Sequence, residues 1–235
     1  MYICDKFKNK SNMIRDFNKF AVSNGISSNT LYGYQKFTNG MISPTIIEER
    51  QLNVATMDVF SRLMADRIIF LGTTIDSDVA NIISSQMMYL NSVDNKSDIK
   101  LFINSGGGEC ISGTMIVDIM NIVTAPISTY NMGLSASMAS VILSNGEKGK
   151  RFALPHSRVM IHQPMGGVPG GTQESDFAIA YEEIKKTKKE LYNILANNTG
   201  KSFEEIEKAG DRDCWLTAQE ALEFGVIDEI IKKKI

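Results

Sequence analysis

Only two histidines, His156 and His162, occur among the 235 residues, so a mechanism that needs an imidazole has two candidates. His162 follows the apolar run Val159-Met160-Ile161 and precedes Gln163-Pro164, at the end of an expected strand where sheets commonly present functional groups. His156 follows Pro155 in an expected turn, a setting that usually holds a surface residue. Hydroxyls cluster in Gly133-Leu134-Ser135-Ala136-Ser137-Met138-Ala139-Ser140, where small residues crowd a strand-to-helix junction. A serine in the first turn of that helix projects into a cleft beside outward-pointing N–H groups, which suits a nucleophile next to an oxyanion site. The other reading is a serine that merely caps the helix. The segment lacks the GxSxG pattern around Ser137, which argues against an α/β-hydrolase elbow. Asn104-Ser105-Gly106-Gly107-Gly108 can reach positive φ and aim N–H groups at an anion, or it can be a bare turn. It carries neither the Lys-Ser/Thr of a P-loop nor GxGxxG spacing, so nucleotide binding has little support.

The elements that must position these residues follow from periodicity. Val54–Met64 is amphipathic and leads into Arg67-Ile-Ile-Phe-Leu71, a short buried strand. Asp76 caps a helix to about Asn91, with Val79, Ile82, Ile83 and Met87 on one face. Lys100–Asn104 is a strand, and a helix through Met115, Ile116, Ile119 and Ile122 follows the glycine cluster. Pro126 separates that helix from a strand at Ile127–Asn131; Ser137–Leu143 is a short helix, and Arg151–Leu154 and Arg158–Ile161 are strands. A second glycine tract (Gly166, Gly167, Gly170, Gly171) precedes a long charged helix over about Glu174–Asn198, closed by Gly200. The tail holds a helical Ser202–Lys208, a helix Ala218–Phe224 and a strand at Val226–Ile231. Strands alternating with helices imply parallel crossovers and an α/β fold.

Composition bounds the rest. A chain with 43% hydrophobic and 22% charged residues is an ordinary soluble domain. A net charge of −2 gives no reason to expect nucleic acid, although residues 1–40 carry +4 and the remainder −6. That leader, rich in Asn, Ser and Lys, reads as a partly disordered extension, with a short helix near Ser11–Val22 as the alternative. Cys4, Cys110 and Cys214 are odd in number and far apart, which argues against a disulfide framework or zinc knuckle and fits a reducing, cytoplasmic setting. No stretch approaches the ~18 apolar residues of a membrane span, and no secretory h-region is present.

Together the segments resemble the proteolytic subunits of the Clp protease family, from about Ile42 to Ile231. The resemblance rests on Phe60-Ser61-Arg62-Leu63 with Arg67–Leu71, on Ile103-Asn104-Ser105 with Gly107-Gly108, and on Ala136-Ser137-Met138. It continues through Gly149-Lys150-Arg151, the run Leu154–Pro164 that contains His162-Gln163-Pro164, and Asp211-Arg212-Asp213. It implies a Clp-protease/crotonase-like fold of repeated β-β-α units with a protruding handle helix. The expected division is a leader over 1–40 and a proteolytic domain over 41–235. Within the latter come an axial segment (41–52), a head (53–162), a handle (163–200) and a C-terminal part (201–235). The implied activity is serine endopeptidase, with Ser137 as nucleophile, His162 as general base and Asp213 orienting it. The N–H groups of Gly108 and Met138 are the implied oxyanion hole, and Gly107 with Gln163, Pro164, Met165 and Gly166 the implied substrate contacts. Asp211 and Arg212 match positions that pair between rings. The family assembles as two stacked heptameric rings, here expected as a homo-oligomer. An AAA+ unfoldase docks over the axial segment, consumes the ATP and feeds unfolded polypeptide, so neither cofactor nor metal is implied.

Several positions depart from the family pattern. The usual proline of the oxyanion loop is Gly106, and Glu109 stands where an apolar residue is common. Ala139-Ser140 replaces a frequent Gly-Ala, and the handle reads Val168-Pro169-Gly170-Gly171-Thr172 with a short insertion. The leader lacks a counterpart in well-known members and is a candidate cleaved propeptide. One alternative is a non-catalytic subunit of a mixed ring, which would usually lack part of the triad. Another is a crotonase-type acyl-CoA enzyme, which shares the fold but does not need Ser137, His162 and Asp213.

Overall fold

Short β-branched and aromatic runs separated by helical patterns give the sheet around which the molecule is built. The protein was analysed as a computed structural model, which describes residues 19, 22, 23, 45–50 and 53–232. The expected leader, its cleavage and most of its helix near Ser11–Val22 lie outside the described residues, as does part of the axial segment.

Strands β1 (Thr45–Arg50) and β2 (Asn53–Asp58) form an antiparallel hairpin. Helix α1 (Val59–Met64) follows, capped by the Asp58 carboxylate, which accepts from the Ser61 N–H at 3.0 Å. The amphipathic stretch from Val54 therefore divides into a strand and a single helical segment. Next come β3 (Ile68–Leu71), α2 (Ser77–Val93), β4 (Ile99–Ser105), α3 (Cys110–Ile122), β5 (Ile127–Ala136) and α4 (Met138–Ser144). The chain continues through β6 (Arg151–Ala153), β7 (Arg158–Ile161), α5 (Glu174–Thr199), α6 (Phe203–Ala209), β8 (Cys214–Thr217), α7 (Ala218–Phe224) and β9 (Glu229–Ile230). Asp76 caps α2 as expected, accepting from the Val79 N–H at 2.8 Å.

The main sheet runs β3-β4-β5-β6-β9, and all of these neighbours are parallel. Strand β5 is longer than expected and changes partner along its length. Thr129–Asn131 pairs with β6, and Leu134–Ala136 pairs with β7. A register shift against β4 between Ile103 and Ser105 marks the change. There the Asn104 side chain accepts from the Leu134 N–H at 3.1 Å, and a Cβ on Gly133 would lie 2.7 Å from that same oxygen. Such a bulge bends the strand and re-aims the chain beyond it, here the start of α4. The antiparallel pair β7–β8 completes the sheet, and β8 was absent from the sequence expectation.

Ile69, Leu71, Ile99, Leu101 and Ile103 point into the core with Ile83, Met87, Ile116, Ile142 and Leu143 from the helices. On the opposite face Phe70, Phe102, Tyr130 and Phe152 are cross-strand partners whose rings stack at 5.4, 4.5 and 4.9 Å between centroids. Helix α5 is 26 residues long, yet only Leu191, Tyr192 and Leu195 near its end are buried. Gly200 stops it in the left-handed conformation at φ 76°, as its place after the last helical residue predicts. No helix among the described residues is long and apolar enough to cross a membrane.

Candidate active site

Where β5 hands over to α4, Ser137 takes φ 54° and ψ −127°, a backbone conformation that a side chain disfavours. Two hydrogen bonds hold it there. Its N–H donates to the Met160 carbonyl on β7 at 2.9 Å, and its carbonyl accepts from the Ser140 N–H at 2.9 Å. The Ser137 side chain makes no cap bond, so the reading of this residue as an ordinary helix cap does not hold. Its Oγ instead lies 2.8 Å from His162 Nε2. The neighbouring hydroxyls are elsewhere: Ser135 and Ser140 are buried, and Ser140 Oγ donates to the Ser137 carbonyl.

His162 stands one residue beyond β7, and Asp213 one residue before β8. The antiparallel register pairs Ile161 with Cys214, which brings these two residues face to face although 51 positions separate them. Asp213 Oδ1 is 3.1 Å from His162 Nδ1. The imidazole is largely buried, with a tenth of its side chain exposed, whereas the Asp213 side chain is 59% exposed. A carboxylate at Nδ1 favours the tautomer with its proton there and leaves Nε2 free to accept the serine proton. His156 sits exposed in its turn, away from this group.

The glycine loop closes the other side. Ile75 is clamped between two of its residues, its N–H donating to the Gly107 carbonyl at 2.9 Å and its carbonyl accepting from the Glu109 N–H at 2.8 Å. Since successive groups of extended backbone alternate in direction, the intervening Gly108 N–H points away from Ile75. A Cβ at Gly108 would lie 2.1 Å from the Ile75 carbonyl oxygen. One at Gly107 would lie 2.7 Å from Ser137 Cβ and 3.0 Å from Met138 N, so the loop rests directly on the start of α4. Ser105 ties it down further, its hydroxyl donating to the Thr73 carbonyl and accepting from the Gly107 N–H. Met138 N–H, in the first turn of α4, has no partner within its own helix.

Gln163 and the residues after it form one wall of an open groove. Gln163 N–H donates to the Gly210 carbonyl and its side-chain amide to the Asp211 carbonyl, both at 2.8 Å. Its side chain therefore braces the loop that carries Asp213. Tyr192 joins the same brace, its hydroxyl donating to the Gly210 carbonyl at 2.8 Å; burial first, then Glu207 and Asp211, push its pKa up to about 12. Sequence reading missed Tyr192, whose only signal was its helical spacing with Leu191 and Leu195. Pro164, Met165 and Gly166 line the groove, while Asp211 and Arg212 lie exposed beyond it. The two described cysteines flank the site, and burial pushes both thiols above their ordinary range. A neutral hydroxyl needs a base to become nucleophilic, and His162 Nε2 lies within hydrogen-bond distance of Ser137 Oγ. No three His, Cys, Asp or Glu side chains among the described residues converge on a metal position.

A hydroxyl, an imidazole and a carboxylate in series, beside a loop with outward N–H groups, are equipped for acyl transfer. The comparisons with known proteins point the same way. The family model described as Clp protease matches residues 50–234. A protein of Porphyromonas gingivalis named ATP-dependent Clp protease proteolytic subunit is 54% identical over 221 residues, covering 94% of this chain and 99% of that protein. One of the same name from Bacteroides fragilis is 53% identical over 220 residues, covering 93% and 99%. Another from Streptococcus mutans is 47% identical over 189 residues, covering 80% and 96%. On this match in sequence, the chain belongs to the Clp protease family of serine peptidases.

Proposed function

We propose that Ser137, His162 and Asp213 hydrolyse peptide bonds in polypeptide that reaches the groove unfolded. Ser137 Oγ adds to the peptide carbonyl as His162 Nε2 takes its proton. The C–N bond then breaks as the imidazolium returns that proton to the leaving amine. Water, activated by the same imidazole, releases the acyl group from Ser137. Asp213 holds the Nδ1–H and stabilises the imidazolium. The N–H groups of Gly108 and Met138 receive the oxyanion, a contribution of about 3–4 kcal/mol for each donor in comparable sites. The Gln163–Gly166 tract pairs with the substrate backbone, a mode of binding tolerant of sequence, and Gly107, whose N–H serves Ser105, contacts it without that donor.

The observation that carries this reading is the relay itself, 2.8 Å from hydroxyl to imidazole and 3.1 Å from imidazole to carboxylate. As in the relatives whose names call them subunits of an ATP-dependent protease, this chain works within a larger Clp-type assembly with an ATPase partner. In its finer form the proposal is a cytoplasmic homo-oligomer of two stacked heptameric rings, with an AAA+ unfoldase seated over the axial segment. The handle joins the rings, with Asp211 and Arg212 paired across them.

A fluorophosphonate probe read by intact mass tests the nucleophile. Wild-type protein gains one adduct at Ser137, and Ser137→Ala gains none while keeping its circular dichroism spectrum. Labelling of the variant at an unchanged rate, or no labelling of the wild type, removes Ser137 from the role.

A further inference from the structure

A groove of about 760 Å³ runs along Glu109, the residue after Gly108, and Pro164, two residues after His162, and is walled mainly by apolar side chains, among them Ile111, Val168, Phe177 and Ile184. Among the described residues no lysine or arginine lines it, and its only charged groups are the carboxylates of Glu109 and Glu183. These two differ. Glu183 already has a cation, with its Oε1 2.6 Å from Lys186 Nζ. Glu109 has none among the described residues: its Oε2 accepts from the neutral Ser112 hydroxyl at 2.8 Å. Its place on the backbone is fixed, because its N–H donates to the Ile75 carbonyl and its neighbour Gly108 cannot carry a side chain. An apolar groove whose wall carries a carboxylate without a cationic partner among the described residues suits a side chain with a hydrocarbon stem and a cationic head.

We infer that Glu109 determines specificity: it makes the groove prefer lysine or arginine on the substrate residue whose carbonyl is attacked. The inference rests on the proposed role of the Gly108 N–H as an oxyanion donor. If that donor holds the carbonyl oxygen of one substrate residue, the side chain nearest to Glu109 belongs to the same residue. An acidic side chain there meets a like charge at close range and is disfavoured. The Glu109 carboxylate is exposed to solvent, so its contribution is that of a partly screened ion pair, about fivefold in rate.

The test uses the full-length assembled protein and fluorogenic peptides that differ only in having Lys, Leu or Glu before the scissile bond. The ratio of kcat/KM for Lys over Glu peptides is expected to fall about fivefold in Glu109→Gln and to invert in Glu109→Lys. The wild-type ratio also falls as salt is raised. Fluorophosphonate labelling at Ser137 checks that each variant retains a folded site. Ratios that are the same in wild type, Glu109→Gln and Glu109→Lys overturn the inference while leaving the nucleophile in place. Peptide turnover that survives Ser137→Ala instead overturns the underlying assignment of the active site.

Discussion

The sheet that carries the relay and the long helix α5 are built in different ways. In the sheet, each group of the relay sits at a strand or helix terminus whose backbone is tied to a neighbouring strand. Ser137 is held by Met160, Gly107 and Glu109 by Ile75, and Asp213 by the register of β7 with β8. Helix α5 buries Leu191, Tyr192 and Leu195 near its end, where Asn198 also bonds to Arg151, Ser144 and Asn145, while Phe177, Ile179 and Tyr181 near its start are exposed. A hydrogen-bonded sheet fixes the relay, whereas a helix docked at one end leaves much of its surface exposed. Rate and protomer stability should therefore be governed by the sheet and the docked end of α5, and the proposed assembly by its free part.

The largest effect expected is on the relay. Asp213→Asn should lower kcat by roughly 10⁴-fold, because the amide no longer enforces the Nδ1–H tautomer. Its melting temperature should stay within error, since the side chain is exposed. Equal turnover in steady-state peptide assays would show that His162 needs no orienting carboxylate. A paired measurement addresses α5. Leu195→Ala should cost about 2–4 kcal/mol in urea unfolding, as a large-to-small change in the core does. Ile179→Ala should cost less than about 0.5 kcal/mol in the dissociated protomer. Similar losses for both would mean that α5 is one cooperative unit with the sheet. A further small effect concerns the glycine loop. A Cβ on Gly106 meets nothing within 4 Å, and its φ lies outside the positive range. Gly106→Ala should thus raise stability by about 0.4–1 kcal/mol through the unfolded state, detectable by calorimetry. A loss of stability would reveal strain in the loop.

Much of this was legible in the chain because the signals were local. The caps of α2 and α5, the limits of α7 and the alternation of helices with strands all derive from residues within a few positions of each other. The readings that went astray involved distant partners. Strand β5 was expected to stop at Asn131, since Gly133 and the small residues after it resemble a turn. It continues to Ala136 because β7 supplies hydrogen bonds that no local pattern encodes. Strand β8 is four residues of mixed character, with Trp215 exposed, and exists only by pairing with β7. The expected final strand at Val226–Ile231 shortens to Glu229–Ile230, the part that reaches β6. The same reasoning applies to the site. Ser137 and the glycine loop were visible as a junction of small residues, but periodicity contains nothing to say that His162 and Asp213 meet. Only the family resemblance supplied the third group.

The short β8 strand also gives the molecule an internal lamp. Trp215 is the only tryptophan in the chain, it lies two residues from Asp213, and the register sets it opposite Met160, whose carbonyl holds Ser137. Its indole is partly exposed, so its emission colour reports the hydration of this one edge. The seven tyrosines of the sequence absorb and emit at shorter wavelength, so light that excites the indole alone reads out this edge and no other part of the molecule.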